Sequence, residues 1–189
     1  MFNQLRTGVS LLVLFTVLTG LAYPLAITGI AGAVLPSQAK GSLIEKDGKI
    51  IGSSLIGQNF ATDRYFWPRP SATADAPYNA GASTGTNLGP TSDKLKQAVK
   101  TQVDALRKAG ITGEIPADAA TSSGSGLDPH ISPAYALAQV ARVAAARKLP
   151  ADSLTALVNE HSEGRLFGLI GEPRVNVLQL NLALDSFKP

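Results

Sequence analysis

The stretch TGVSLLVLFTVLTGLAYPLAITGIAGAVLPSQA, Thr7 to Ala39, carries no charged side chain and is dominated by Leu, Val, Ile, Ala, Gly and Phe. A bilayer core asks for about 20 apolar residues in a helix, so this run is long enough to cross one. Arg6 stands before it with no acid nearby, and Lys40, Glu45, Lys46, Asp47 and Lys49 come after it. A count of basic residues at the ends alone would keep the downstream side in the cytoplasm. The downstream part is a whole domain, however, and long segments translocate largely regardless of charge. The expected layout is a cytoplasmic tail at 1–7, a transmembrane helix at 8–35 and an extracytoplasmic domain at 36–189. A cleaved signal peptide is the alternative, with small-residue sites at Ala31-Gly32-Ala33 and Ser37-Gln38-Ala39. The apolar stretch from Val9 to Leu35 is much longer than the ~7–15 residues of a signal core, which favours a retained anchor. Either way the domain lies on the exported side.

Tyr23-Pro24 interrupts the span. Membrane helices tolerate proline where neighbouring groups satisfy the freed carbonyl. Thr16, Gly20, Pro24, Thr28 and Gly32 recur every fourth residue and so lie along one stripe. Small residues let a second helix approach, so the stripe reads either as a packing face for partner helices or as ordinary membrane-helix composition.

The rest has the size of one ordinary domain. A net charge of +3, with basic residues scattered rather than clustered, gives no stripe for nucleic acid. The absence of cysteine excludes disulfides, zinc–thiolate sites and thiol catalysis. The expected fold class is α+β: one N-terminal transmembrane helix, then a single exported domain with a β-hairpin and several helices. The hairpin comes first, with β-prone runs Ser42–Glu45 and Lys49–Ile56 around Asp47-Gly48, a pair suited to a tight turn. Tyr65-Phe66-Trp67 comes next between Arg64 and Arg69, held extended by Pro68 and Pro70. It reads as a buried strand end with arginines at its rim, or as a surface for the lipid interface or a partner, with the arginines on phosphates or carboxylates.

Asp75 to Pro90 is a long polar loop. Leu95, Val99, Val103 and Leu106 keep helical spacing, and Gly110 closes that helix. Ser132-Pro133 opens another, expected to run to about Lys148. A third is expected from Asp152 to His161, then a turn at Glu163-Gly164-Arg165 and a short apolar piece, Leu166–Ile170. Val175–Leu184 fits a helix better than a strand, because Val177-Leu178 breaks the alternation.

Ser123-Gly124-Ser125-Gly126-Leu127-Asp128-Pro129-His130 is the most distinctive loop. Its Ser, Asp and His invite a hydrolase reading, with Ser123 or Ser125 as nucleophile and His130 as base. Residues so close in one turn seldom reach relay geometry, and no Gly-x-Ser-x-Gly elbow is present. Its backbone N–H groups could form an anion nest, but no Walker lysine is present after it. The third reading is structural, with Asp128 and His130 tying the loop to the helix start. His130 and His161 are the only histidines and make no metal motif, so no metal site and no catalytic residue is assigned.

Several of these stretches together resemble one family. They are Tyr65-Phe66-Trp67-Pro68-Arg69-Pro70-Ser71-Ala72, Tyr78-Asn79, Asn87-Leu88-Gly89-Pro90-Thr91, the run from Ser123 to Pro133, Gln139 with Arg142-Val143-Ala144, and Gly171-Glu172-Pro173-Arg174-Val175-Asn176-Val177-Leu178. In that order, behind one span, they resemble the C subunit (KdpC) of the Kdp potassium-transporting ATPase, a bacterial P-type pump complex. Ala82-Ser83-Thr84-Gly85-Thr86 and Ser122 depart from the family pattern. The resemblance implies an accessory, non-catalytic subunit that supports assembly and acts as a catalytic chaperone favouring ATP use by the pump subunit. It implies a single-pass protein of the cell inner membrane. The implied partners are a potassium-channel-like subunit, the P-type ATPase subunit, a small membrane subunit and the lipid bilayer. No bound cofactor is expected; ATP would act through the complex, because about 30 Å of hydrocarbon separates an exported domain from cytosolic nucleotide. If nucleotide does touch the chain, the residues for it are Ser123, Gly124, Ser125, Gly126 and Gln139. Tyr65, Trp67, Arg69 and Asn87 are the candidate partner surface of the domain.

Overall fold

The computed structural model describes residues 2–187. The chain divides into two compact units between Ser53 and Ser54.

The first unit begins with α1 (Phe2–Val17), a π-helical turn (Leu18–Ala22) and α2 (Tyr23–Val34). Together they form one helical run, Phe2–Val34, of 33 residues, whose most apolar stretch has mean hydropathy 2.0 and no buried residue. At about 1.5 Å per residue the run exceeds the thickness of a bilayer core. Pro24 does not end the helix. It has no N–H to offer the carbonyl of Gly20, and the backbone absorbs that loss in the turn before it, where the N–H of Tyr23 reaches Leu18 O. Thr19 Oγ1 donates to Phe15 O at 2.7 Å, so its hydroxyl is satisfied within the helix. A short α3 (Pro36–Ala39) comes next. Strands β1 (Leu43–Lys46) and β2 (Lys49–Ser53) pair antiparallel around Asp47 and Gly48, both at positive φ (52° and 72°), as the Asp-Gly pair foretells. Strand β2 stops at Ser53, short of the expected Ile56.

The second unit is helix-dominated, which makes the chain α+β as its sequence indicates. Helix α4 (Asp93–Lys108) half-buries Leu95, Val99 and Val103, fully buries Leu106, and closes at Gly110, φ 90°. After α5 (Ala117–Ala120), strand β3 (His130–Ile131) leads into α6 (Pro133–Ala138), capped by Ser132, whose Oγ accepts the N–H of Tyr135 at 3.0 Å. The helix expected to run unbroken to Lys148 breaks at Gln139. There the N–H of Gln139 bonds three residues back to Ala136 O, and α7 (Val140–Arg147) starts afresh. Helix α8 (Ala151–Glu160) and β4 (Ser162–Glu163) come after it.

The expected helix from Val175 is half right. Arg174–Asn176 is strand β5, and only Val177–Ser186 is helix α9, begun by the Asn176 side chain accepting the N–H of Gln179. Strand alternation fails at Val177-Leu178 because the element changes there. The sheet order is β3-β5-β4, antiparallel throughout, with Ile131 and Ser162 both opposite Val175. Phe66, Leu106, Tyr135, Val143, Leu154, Val158, Leu180 and Leu184 are among the fully buried residues of the core beneath it. Burying a side chain of this size stabilises by about 1.5–3 kcal/mol, so this cluster is the main source of cohesion in a chain without disulfides.

Candidate functional site

Phe66 and Trp67 belong to no strand, contrary to the strand-end reading, yet their backbones are paired. Phe66 donates its N–H to Asn181 Oδ1 (2.9 Å) and accepts from Asn181 Nδ2 (3.0 Å). Trp67 does the same with Gln139, through Oε1 (2.7 Å) and Nε2 (3.1 Å). Two buried amide side chains thus replace a neighbouring strand and satisfy an extended segment that two prolines keep out of a ladder. The arginines wrap the same segment. Arg142 stacks over the Trp67 ring at 3.7 Å and donates to the carbonyls of Asp63 and Tyr65. Arg147 bonds Arg64 O and Asp185, and Asp185 also accepts from Tyr65 Oη. Burial lowers the Arg142 pKa to about 10, with Asp63 and Tyr135 opposing the shift.

This clasp places Arg69. Its Nη1 donates to Asp128 Oδ2 at 3.0 Å, and its other nitrogens reach Thr121 O and Ser122 O. Asp128 Oδ1 accepts the backbone N–H of His130 at 2.9 Å and lies 3.5 Å from the ring Nδ1. Burial pushes the Asp128 carboxyl up, but its bonds to His130 and the charge of Arg69 outweigh that and hold it below the usual range. Beneath them Tyr78 donates its hydroxyl to Arg69 O; burial first, then Asp128, raises its pKa. An open cleft of about 700 Å³ is lined by Arg69, Asp118, Asp128, His130, Glu172 and Arg174, among others. Three distant motifs, Trp67-Pro68-Arg69-Pro70, Asp128-Pro129-His130 and Glu172-Pro173-Arg174, therefore converge here.

The charges in the cleft are matched. Arg174 pairs with Glu163 at 2.9 Å, Arg165 with Glu172 at 2.7 Å, and Asp118 holds the N–H and hydroxyl of Ser132.

The serine loop is similarly occupied. Ser123 Oγ accepts the N–H of Gly126, and Ser125 Oγ accepts that of Leu127, so two donors of the supposed anion nest bond their own loop. Ser71 and Thr84 pack against it through Gly126 O and Ser125 O. Gly126 at φ 68° is enclosed: a Cβ there would stand 2.8 Å from Thr73 and 2.9 Å from Thr84 O. Ser123, Gly124 and Ser125 line a second hollow with Asp128, and Gln139, buried on the Trp67 backbone, does not face it. His130 engages Asp128, and the serine hydroxyls engage backbone N–H groups. Among the described residues no group of acidic or histidine side chains could hold a metal.

Of the residues read as partner surface, Tyr65 and Trp67 are half-buried in the clasp, Arg69 is held by Asp128, and Asn87 is exposed at φ 53°. Sequence reasoning did not single out Asn181 or the lining roles of Glu172 and Arg174. The Gly-Glu-Pro-Arg motif pointed to the latter; nothing local distinguishes Asn181.

A bilayer-length apolar helix joined to a domain whose reactive groups bond one another fits a membrane-anchored subunit. The chain belongs to the family described as "KdpC: K+-transporting ATPase, c chain", whose profile matches residues 5–186. It is 58% identical over 188 residues to the Potassium-transporting ATPase KdpC subunit of Dechloromonas aromatica, covering 98% of each chain. It is 54% identical over 190 residues to that of Methylococcus capsulatus, covering both chains fully. It is 57% identical over 188 residues to that of Sorangium cellulosum, covering 98% of this chain and 99% of the relative.

Proposed function

We propose that this chain is a non-catalytic accessory subunit of an ATP-driven potassium uptake complex. Its helix crosses the inner membrane once, N-terminus inside, and its domain stands on the exported side. There it supports assembly with the potassium-carrying, ATP-hydrolysing and small membrane subunits, and it favours ATP use by the pump subunit. Lipid separates the domain from cytosolic nucleotide on this reading. Its effect must then be relayed through its neighbours as a biased equilibrium between pump states, with no nucleotide bound by the chain itself. The observation that supports this reading best is the internal commitment of the Ser123–His130 loop. The one stretch that looks reactive bonds itself, on a chain whose relatives are named as subunits of a potassium-transporting ATPase. A reporter enzyme active only outside the cytoplasm, fused to the C-terminus, tests the topology. Activity supports it, whereas activity only of a cytosolic reporter at the same position overturns it.

A further inference from the structure

Between β4 and β5 the chain forms a hairpin whose tip takes no part in the clasp, the cleft or the serine loop. Two ion pairs bridge its stem, Glu163 to Arg174 and Arg165 to Glu172. Beyond them Leu166 and Ile170 exchange two backbone hydrogen bonds, 2.9 and 3.0 Å. The turn then places Phe167 at φ 54° and Gly168 at φ 73°. A left-handed phenylalanine is strained, because its Cβ crowds the backbone there. Here the strain accompanies outward presentation: Leu166, Phe167, Leu169 and Ile170 are 60%, 86%, 81% and 64% exposed. Four large apolar side chains on a preformed, hydrogen-bonded turn make a contiguous patch of the kind that marks an interaction site.

We propose that this tip is a plug that seats in an uncharged, apolar socket on the exported surface of a larger subunit of the same transport complex. The proposal rests on the accessory-subunit reading. The charge inventory selects a protein socket over lipid. Segments that settle on membrane surfaces set Trp, Phe or Leu beside free Lys or Arg that meet lipid phosphates, and it is the free cations that this hairpin lacks. Residues 162–174 contain no Trp, Tyr or Lys, and both arginines are paired with glutamates of the same hairpin. The hairpin is thus electrically neutral and offers lipid phosphates no free cation. Its size selects an anchor rather than a self-sufficient interface. Stable contacts between free proteins bury about 800 Å² per partner, more than four side chains supply. A chain already retained by a membrane helix meets its partners at high effective concentration, so a small plug is enough to set where the domain docks.

The test uses the whole complex, purified in mild detergent through a tag on a larger subunit, with a photo-crosslinking amino acid in place of Phe167. The expected result is an adduct with one of the larger subunits. An adduct with lipid alone, an adduct with a second copy of this chain, or no adduct while the chain still co-purifies overturns the plug and leaves complex membership standing. If the wild-type chain fails to co-purify, the accessory-subunit reading falls with it. In parallel, Phe167→Ser with Leu169→Ser should reduce retention on the tagged subunit on the order of ten-fold or more, while Phe167→Leu retains it. Unchanged retention of the double variant overturns the proposal.

Discussion

Replacing Asn181 by Leu tests whether a side-chain amide stands in for a missing strand. Asn181 is 1% exposed and satisfies both backbone groups of Phe66, itself fully buried. Leucine has nearly the same size but offers neither donor nor acceptor. Two buried backbone groups then lose their partners, at about 1–3 kcal/mol each, against roughly 1 kcal/mol regained from added apolar burial. The expected net loss is about 3 kcal/mol, a large share of the ~5–15 kcal/mol of a typical domain. For a chain of this size that lowers Tm by about 6–12 °C. The chain has one tryptophan, Trp67, next to the affected residue, so its emission reports the melt of this segment without background. Gln139→Leu should lose less, because Trp67 is only half-buried whereas Phe66 is fully buried. The two losses should add to less than their sum, since both amides hold one segment. A Tm within about 2 °C of wild type for Asn181→Leu would refute the account, because two orphaned buried groups cannot be so cheap.

Asp128→Asn should destabilise the domain by about 1–2 kcal/mol at pH 7, a figure reduced because Arg69 and Asp128 remain 22% and 29% exposed. Since the folded-state carboxyl is held below its ordinary value of 3.8, this stability is present above that pH and lost as pH falls through the folded value. Melts of the two proteins from pH 7 to pH 2 should therefore converge at the acid end. Tyr135 Oη is buried with no hydrogen-bond partner among the described residues, so Tyr135→Phe should be neutral or stabilising by up to about 1–2 kcal/mol, measured by urea midpoint. Gly20→Ile fills open space on the membrane helix, where an added Cβ meets nothing within 4 Å. If the Thr16–Gly32 stripe meets a partner helix, retention in the detergent-purified complex should fall roughly five-fold. His130→Ala should leave potassium-limited growth intact whenever the chain still assembles; loss of growth with normal assembly would revive the hydrolase reading.

Periodicity and turn chemistry made much of the fold legible. The membrane-length helix, the Asp47-Gly48 hairpin, the amphipathic α4 and the Ser132 cap are all local, because each depends on residues within one or two turns of chain. The helix break at Gln139 and the strand at Arg174–Asn176 were not legible. Gln139 is a good helix former by itself and is drawn to the backbone of Trp67, far away in sequence. A three-residue strand carries too little alternation to be seen, and it exists because His130-Ile131 and Ser162-Glu163 flank it.

The sequence alone therefore determined the membrane-length helix, most of the element types and, through its motifs, the family. Each is encoded by residues that are neighbours in the chain or by their order along it. Only the tertiary structure decided which polar groups are free. Hydrogen-bond satisfaction depends on what lies across a few ångströms of space. Ser123 and Ser125 look reactive in line and accept N–H groups of their own loop, whereas the apolar run Leu166–Ile170 stands exposed.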